Sequence, residues 1–189
     1  MARHRIALFI GSLRRESFNR KLANALAKLV PDSLELVESR IDDLPLYNQD
    51  DDANPSPQAR RLKTEIRASA GLLFVSPEYN RSIPGVLKNA IDHASRPYGD
   101  SAWAGKPAGV IGVSVGAIGT ACAQQHLRNV LAGLDVPTMG LPEMFLQAKG
   151  GFFEPDGSIG AASVKHVQKF VDRYARFIDE HAGARNASG

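Results

Sequence analysis

The stretch IALFIGSLRRESFNRKLANALAKL, residues 6–29, indicates the fold of this 189-residue chain. Its first five residues form a continuous apolar run, which is typical of a strand buried on both faces. From Leu22 onward, apolar residues recur at the spacing of one helical face. A short polar loop, residues 11–20, joins the two segments. The sequence therefore predicts a strand, a tight loop and a helix in that order, the first unit of an α/β fold.

The loop between this strand and this helix carries the donors of an anion site. A helix N-terminus presents unpaired N–H groups and a positive dipole end. The loop adds the hydroxyls of Ser12 and Ser17, the amide of Asn19 and the guanidinium of Arg14. Such side-chain donors suit the three oxygens of a terminal phosphate. The loop alone is explained equally well by a phosphomonoester site or by a polar turn with a serine N-cap.

Two other kinds of phosphate loop are excluded by missing residues. The Walker loop ends in Gly-Lys followed by Ser or Thr, and no such triplet occurs in this chain. The dinucleotide fingerprint needs three glycines, because a pyrophosphate lies against bare backbone, and only Gly11 is present here.

Composition sets further bounds on the class of protein. The formal net charge is only +3 and the charges are interleaved, so we expect no nucleic-acid partner. No apolar run reaches the length of a membrane span, and residues 1–5 do not resemble a signal peptide, so we expect no membrane partner. The single cysteine, Cys122, fits a reducing compartment and a cytoplasmic location. Residues 50–52, all aspartate, lack the spacing of a calcium loop, and no metal site is predicted.

Apolar runs alternate with helical patterns along the rest of the chain. Further strands are predicted at 34–37, 72–75, 108–113 and 136–147, the last interrupted by Pro142, and helices at 58–70, 84–95, 120–133 and 159–180. Strands without polar alternation are buried on both faces. The sequence therefore predicts an α/β domain over residues 1–180, a doubly wound five-stranded parallel sheet with helices on both faces. A disordered tail is predicted at 181–189.

In such sheets, ligands bind beyond the carboxyl ends of the strands, so the loops after strands one, three and four should converge. The loop after strand three reads SPEYNRSIPG, residues 76–85, and its Tyr79 offers a flat face for an aromatic ring. The loop after strand four reads SVGAIGT, residues 114–120, and its glycines let backbone N–H groups approach a ligand. Together the three loops indicate a site for a phosphorylated planar heterocycle.

At these residues the chain resembles the NAD(P)H-dependent FMN reductases of flavodoxin-like fold, a group with bacterial quinone, azo-dye, chromate and ferric reductases. The matching motifs are GSLR (11–14) with SFN (17–19), PEYN (77–80) with IPGVLKNAID (83–92), and the loop 114–120. The resemblance covers roughly residues 5 to 180. Some members carry glycine or another residue where Arg81 stands, so the rim of this pocket is expected to differ.

The resemblance implies a role for each loop in binding FMN, with NADH or NADPH as co-substrate. The phosphate loop would contribute Ser12, Leu13, Arg14, Ser17, Phe18 and Asn19. The isoalloxazine ring would be lined by Pro77, Glu78, Tyr79 and Asn80, with Ser114 and Gly116 at its N1/O2 edge. Arg81 and Arg96, at the rim of the pocket, are candidates for contacts to the nucleotide phosphates. The alternatives are that Arg81 is a solvated surface arginine and that Arg96 is a cation that interacts with a helix C-terminus. No side chain is expected to act as acid or nucleophile, because the flavin carries the chemistry.

The resemblance also implies the reaction and the assembly. The expected function is hydride transfer from NAD(P)H to FMN, followed by two-electron reduction of quinones, azo compounds, nitroaromatics, ferric chelates or chromate. The alternative is a non-catalytic FMN electron carrier or a redox sensor, although carriers of this fold are acidic and this chain is slightly basic. A homodimer or homotetramer is expected, with the segments 86–95 and 121–134 across a two-fold axis.

Overall fold

Across residues 3–187, the part of the chain that the computed structural model describes, five parallel strands form one sheet in the order β2-β1-β3-β4-β5. The strands are β1 His4–Ile10, β2 Leu34–Glu38, β3 Gly71–Val75, β4 Ala108–Ser114 and β5 Phe145–Gln147. The helices are α1 Phe18–Ala27, α2 Pro57–Arg67, α3 Gly85–Ala94, α4 Ala121–Gly133 and α5 Ala161–Ala187, with a short 3-10 turn at Gln49–Asp51. This order confirms the predicted flavodoxin-like doubly wound sheet.

Apolar residues of the central strands alternate between two cores, one on each face of the sheet. On one face, Ile6, Leu8 and Ile10 pack with residues of α1 and α5. On the other, Ala7 and Phe9 pack with residues of α2, α3 and α4. Both faces of the sheet are therefore covered, and the carboxyl edge is left for the site.

The carboxyl ends of β1, β3 and β4 meet closely at that edge. The N–H of Gly11 donates to Val75 O at 3.0 Å, and the N–H of Ser76 donates to Ile111 O at 3.1 Å. A Cβ atom on Gly11 would lie 2.5 Å from Ser76 Oγ, and one on Gly112 would lie 2.2 Å from Ser76 O. Only glycine permits this approach, which brings the three following loops together.

Two elements differ from the sequence prediction. The predicted fifth strand at 136–147 is reduced to β5, with an isolated bridge between Ala108 and Thr138. The chain touches the start of β4 and then the end of β4, and the segment containing Pro142 between those contacts is not paired. Helix α5 runs from Ala161 to Ala187, beyond the predicted helix end at residue 180 and into the segment predicted as a tail. Residues 188 and 189 lie outside the described residues.

Among residues 3–187, no helix has both the length and the hydropathy that a membrane crossing requires.

Candidate functional site

The three loops at the carboxyl edge enclose a pocket of about 180 Å³. It is lined by Ser12, Arg14, Ser17, Phe18, Asn19, Pro77, Glu78, Tyr79, Val113, Ser114 and Val115. The structure therefore brings together nine of the residues predicted from the sequence. Leu13, Asn80 and Gly116 lie in the same loops without lining the pocket. Val113 and Val115 were not predicted, because the prediction for this loop rested on its glycines and apolar residues next to them carry no signal of ligand binding.

One end of the pocket is the N-terminus of α1, where several donors have no acceptor. Ser17 is the N-cap, and its Oγ accepts from the N–H of Arg20 at 3.3 Å. Within the described residues, the N–H groups of Phe18 and Asn19 donate to nothing. The guanidinium of Arg14 lies 5.9 Å from the centre of the Phe18 ring and likewise has no hydrogen bond or ion pair there. This arrangement suits an anion.

Asn19 differs from the other members of this group, because its side chain is already engaged. It is 2% exposed, its Nδ2 donates to Val113 O at 2.9 Å, and its Oδ1 accepts from the N–H of Val113 at 3.0 Å. The amide therefore joins α1 to the end of β4. Of its polar groups, the backbone N–H of Asn19 is the one that donates to no acceptor within the described residues.

The second wall of the pocket is a tight hairpin. Tyr79 and Ser82 exchange two backbone hydrogen bonds of 3.0 Å around Asn80 and Arg81, whose φ angles are 51° and 65°. Two left-handed residues between the residues of an isolated antiparallel bridge form a type I′ turn, which usually contains glycine. Tyr79 lies half-exposed at the base of this turn, and its hydroxyl is 3.3 Å from Ser12 Oγ. The turn therefore places the Tyr79 ring beside the anion end, with Arg81 exposed at the tip.

Glu78 braces the site from the same loop. Its Oε2 accepts from the N–H of Ala123 at 3.0 Å, in the first turn of α4. A carboxylate at a helix N-terminus satisfies an unpaired donor and interacts favourably with the helix dipole. Glu78 therefore lines the pocket while its charge is directed at α4, an outcome that the sequence did not indicate.

The third wall is the loop after β4, in which Ser114 and Gly116 interact with each other. The N–H of Gly116 donates to Ser114 Oγ at 3.1 Å and is not free for a ligand. The N–H groups of Val115 and Ala117 have no acceptor within the described residues. These two groups are the backbone donors that this wall offers.

Arg96 does not join this cluster. It follows the C-terminal end of α3, a helix of ten residues and hence about 15 Å long, whose N-terminal end follows the Tyr79 loop. Its guanidinium lies 3.1 Å from Asp52 Oδ2 and lines a different pocket with Tyr47 and His93. Within one chain, therefore, the structure does not place Arg96 at the predicted rim.

Comparison with known proteins gives concordant matches. The sequence model of the family described as NADPH-dependent FMN reductase matches residues 4–150. A quinone reductase of Pseudomonas putida is 50% identical over 174 residues, 92% of this chain and 94% of the relative. A 2-hydroxy-1,4-benzoquinone reductase of Burkholderia sp. is 50% identical over 175 residues, 92% of this chain and 96% of the relative.

Solved structures agree with these matches. The flavoenzyme NAD(P)H:(acceptor) oxidoreductase FerB from Paracoccus denitrificans is 44% identical, with a TM-score of 0.90 over 94% of this chain and 98% of that one. A flavodoxin variant from Pseudomonas aeruginosa, 20% identical over 93% of this chain and 99% of that one, has a TM-score of 0.60 and shows the shared fold alone.

Proposed function

This chain belongs to the NADPH-dependent FMN reductase family, and from that premise we propose that it oxidises NAD(P)H and reduces quinones with FMN as its resident cofactor. When bound, FMN supplies the hydride and electron transfer between nicotinamide and acceptor. The observation that carries the proposal is the pocket itself, which combines unpaired anion donors with an aromatic wall.

The chemistry of the donor set fits FMN. The N–H groups of Phe18 and Asn19, the hydroxyl of Ser12 and the guanidinium of Arg14 would hold the terminal phosphate, since each can donate to a phosphate oxygen. The unpaired N–H groups support this assignment, because they would otherwise face water at a helix end. The N-cap Ser17 fixes the helix start that presents them.

The other two walls would hold the flat ring. Pro77 and the ring of Tyr79 supply apolar surface, which excludes water from that side. The N–H groups of Val115 and Ala117 would donate to the pyrimidine edge of the flavin. Hydrogen-bond donors already positioned beside this edge would stabilise the negative charge that it gains on reduction, as the donors of an oxyanion hole do. They would therefore favour electron transfer to the flavin. We assign Ser114 the role of shaping this loop, through its bond to the N–H of Gly116.

Anaerobic stopped-flow measurements on the purified yellow protein test this proposal. We expect NADH or NADPH to bleach the flavin absorbance, and 1,4-benzoquinone to restore it over repeated turnovers. Azo dyes, nitroaromatics, ferric chelates and chromate are further acceptors for the same assay. A protein that cannot turn over with any donor and quinone would instead be a carrier or sensor. Mass analysis of the released cofactor should give FMN, and stoichiometric FAD would contradict the phosphate assignment.

We also propose that the protein is a homodimer or homotetramer. Leu46, Tyr98 and Leu141 are 86%, 92% and 78% exposed. Tyr98 and Leu141 follow α3 and α4 in the chain, and Leu46 lies in a segment that is hydrogen-bonded to Asn89 of α3. Exposed large apolar residues on the segments beside those helices support an interface there. Sedimentation at micromolar concentration should show a species larger than the 20.4 kDa chain, and a monomer alone would contradict the proposal.

A further inference from the structure

A second groove lies at the carboxyl ends of β1 and β2, next to the phosphate loop. Its volume is about 560 Å³, roughly three times that of the flavin pocket. It is lined by Ile10, Leu13, Arg20, Glu38, Arg40, Ile41 and Asp42. Leu13 stands between Ser12 and Arg14, which line the flavin pocket, so the two cavities adjoin across this one loop.

The groove has an apolar floor and a charged rim. Ile10 and Ile41 are buried, and Leu13 is 57% exposed. On the rim, Arg20 donates to both oxygens of Glu38 at 2.8 Å, a hydrogen bond that holds the pKa of this arginine above its usual value. Further along, the Arg40 Nε donates to Asp42 at 2.6 Å. The rim therefore pairs each cation with a carboxylate and carries no excess positive charge.

The rim is held in place without a ligand. The N–H of Ser39 donates to Leu8 O at 2.9 Å, which fixes the chain directly after β2. From α2, Arg61 donates to Arg40 O at 2.8 Å and to Asp43 at 2.9 Å. A preformed site of this kind loses little conformational entropy when it binds.

We propose that this groove binds the adenosine end of the nicotinamide dinucleotide and that Glu38 selects NADH over NADPH. The inference rests on the proposed function, which requires a nicotinamide at the adjoining pocket. The apolar floor suits a flat adenine, and the planar Arg40 guanidinium, largely exposed, can stack on its face. Glu38 is the last residue of β2 and lines the groove, so its carboxylate can accept a hydrogen bond from the ribose 2′-hydroxyl of an adenosine bound there.

The same chemistry disfavours a 2′-phosphate. That group carries about two negative charges near neutral pH, as other phosphomonoesters do. In this groove it would face the carboxylates of Glu38 and Asp42, while both guanidiniums are already paired with them. A ribose hydroxyl, in contrast, can donate to Glu38 without disturbing the bond from Arg20.

Direct binding to the FMN-loaded protein tests the groove without catalysis. By calorimetry, we expect ADP-ribose to bind about tenfold more tightly than its 2′-phosphorylated form, since one hydrogen bond to a charged group is worth about that factor. The variant Glu38→Gln should lose about tenfold in ADP-ribose affinity and most of the preference. Glu35→Gln, on the same strand but outside the groove, is the matched control and should bind both ligands as the parent does.

Reduction of the bound flavin by two donors, one with and one without the adenosine end, then distinguishes binding in the groove from the reaction at the flavin. Glu38→Gln should lower kcat/KM for NADH about tenfold and leave reduced nicotinamide mononucleotide, which has no adenosine, within about twofold. Equal losses with both donors, or unchanged affinity for ADP-ribose, would overturn the groove assignment while leaving the proposed function in place. If the parent protein reacts with none of the donors, both the groove assignment and the proposed function are overturned.

Discussion

The polar groups of the site are of two kinds: some are free to bind a ligand, and others are already hydrogen-bonded within the protein. The guanidinium of Arg14 and the N–H groups of Phe18 and Asn19 have no hydrogen-bond acceptor within the described residues. Asn19 and Glu78 line the same pocket, yet the side-chain amide of Asn19 is bonded to Val113 and one carboxylate oxygen of Glu78 to Ala123. Residue type alone could not separate these groups, because the partner of Asn19 is 94 positions away in the chain.

Replacing Arg14 by Ala should weaken FMN binding by about 1.5–3 kcal/mol, because one charge-assisted hydrogen bond to the phosphate is lost. The measurement is a fluorescence titration of the cofactor-free protein with FMN. Arg15→Ala is the matched control, since the neighbouring arginine is also exposed but does not line the pocket. Equal affinities for the parent and the Arg14 variant would show that this loop does not hold the phosphate.

Replacing Arg81 by Gly should separate stability from nucleotide binding. A left-handed φ of 65° is unfavourable for arginine, so glycine should stabilise the turn by about 1 kcal/mol in denaturant unfolding. The same change removes the cation at the tip of the loop. We therefore expect a higher KM for NAD(P)H and little change for a neutral quinone. Arg81→Lys keeps the charge and is the control; unchanged KM values in the glycine variant would remove Arg81 from the site.

At the scale of elements, the site depends on braces between segments that are distant in sequence. The amide of Asn19 joins α1 to β4, and the carboxylate of Glu78 joins the β3 loop to α4. These bonds hold the loops after β1, β3 and β4 at fixed positions relative to one another. Preorganisation of this kind keeps the free donors aimed at a bound ligand.

Replacing Asn19 by Ala should destabilise the protein by about 1–3 kcal/mol, because the buried N–H and C=O of Val113 lose their partners. Urea unfolding of the FMN-free protein measures this change. Since the N–H of residue 19 remains, FMN affinity should fall less than in the Arg14 variant. Asn24→Ala, exposed on the same helix, serves as control and should be neutral. A large loss of affinity with unchanged stability would instead make the amide a direct ligand.

The elements themselves were largely predictable, because buried parallel strands form apolar runs and their helices have a 3.6-residue period. The bounds of β5 were not predictable, since its pairing to β4 is set by two separate contacts on either side of Pro142. The hairpin at Asn80 and Arg81 was also missed, because neither residue is the glycine that signals such a turn. The last helix was predicted to end at residue 180, because the small polar residues after His181 are typical of a tail. In the structure, the helical backbone continues to Ala187.

The whole molecule has one sheet edge on which all of these loops converge, and this restricts how two substrates can be used. Within residues 3–187 there is one sheet, and the pocket between its loops is about 180 Å³. A flavin ring lying on these loops would present one open face to solvent, and nicotinamide and quinone would share that face. The proposed adenosine groove lies beyond Leu13 and anchors the nucleotide without adding space at the ring. Nucleotide and acceptor should therefore bind in turn at one face.

Steady-state kinetics with NADH and 1,4-benzoquinone should accordingly give parallel double-reciprocal lines. The oxidised nucleotide has to leave before the quinone can reach the same face, so NAD⁺ should compete with the quinone. Arg96, which lies at the far end of α3 in its own chain, can affect nucleotide binding only if a second copy brings it to the site. Under the assembly proposed above, Arg96→Ala should raise the KM for NADH and leave the lines parallel. Intersecting lines would instead require a ternary complex, with separate places for nucleotide and quinone.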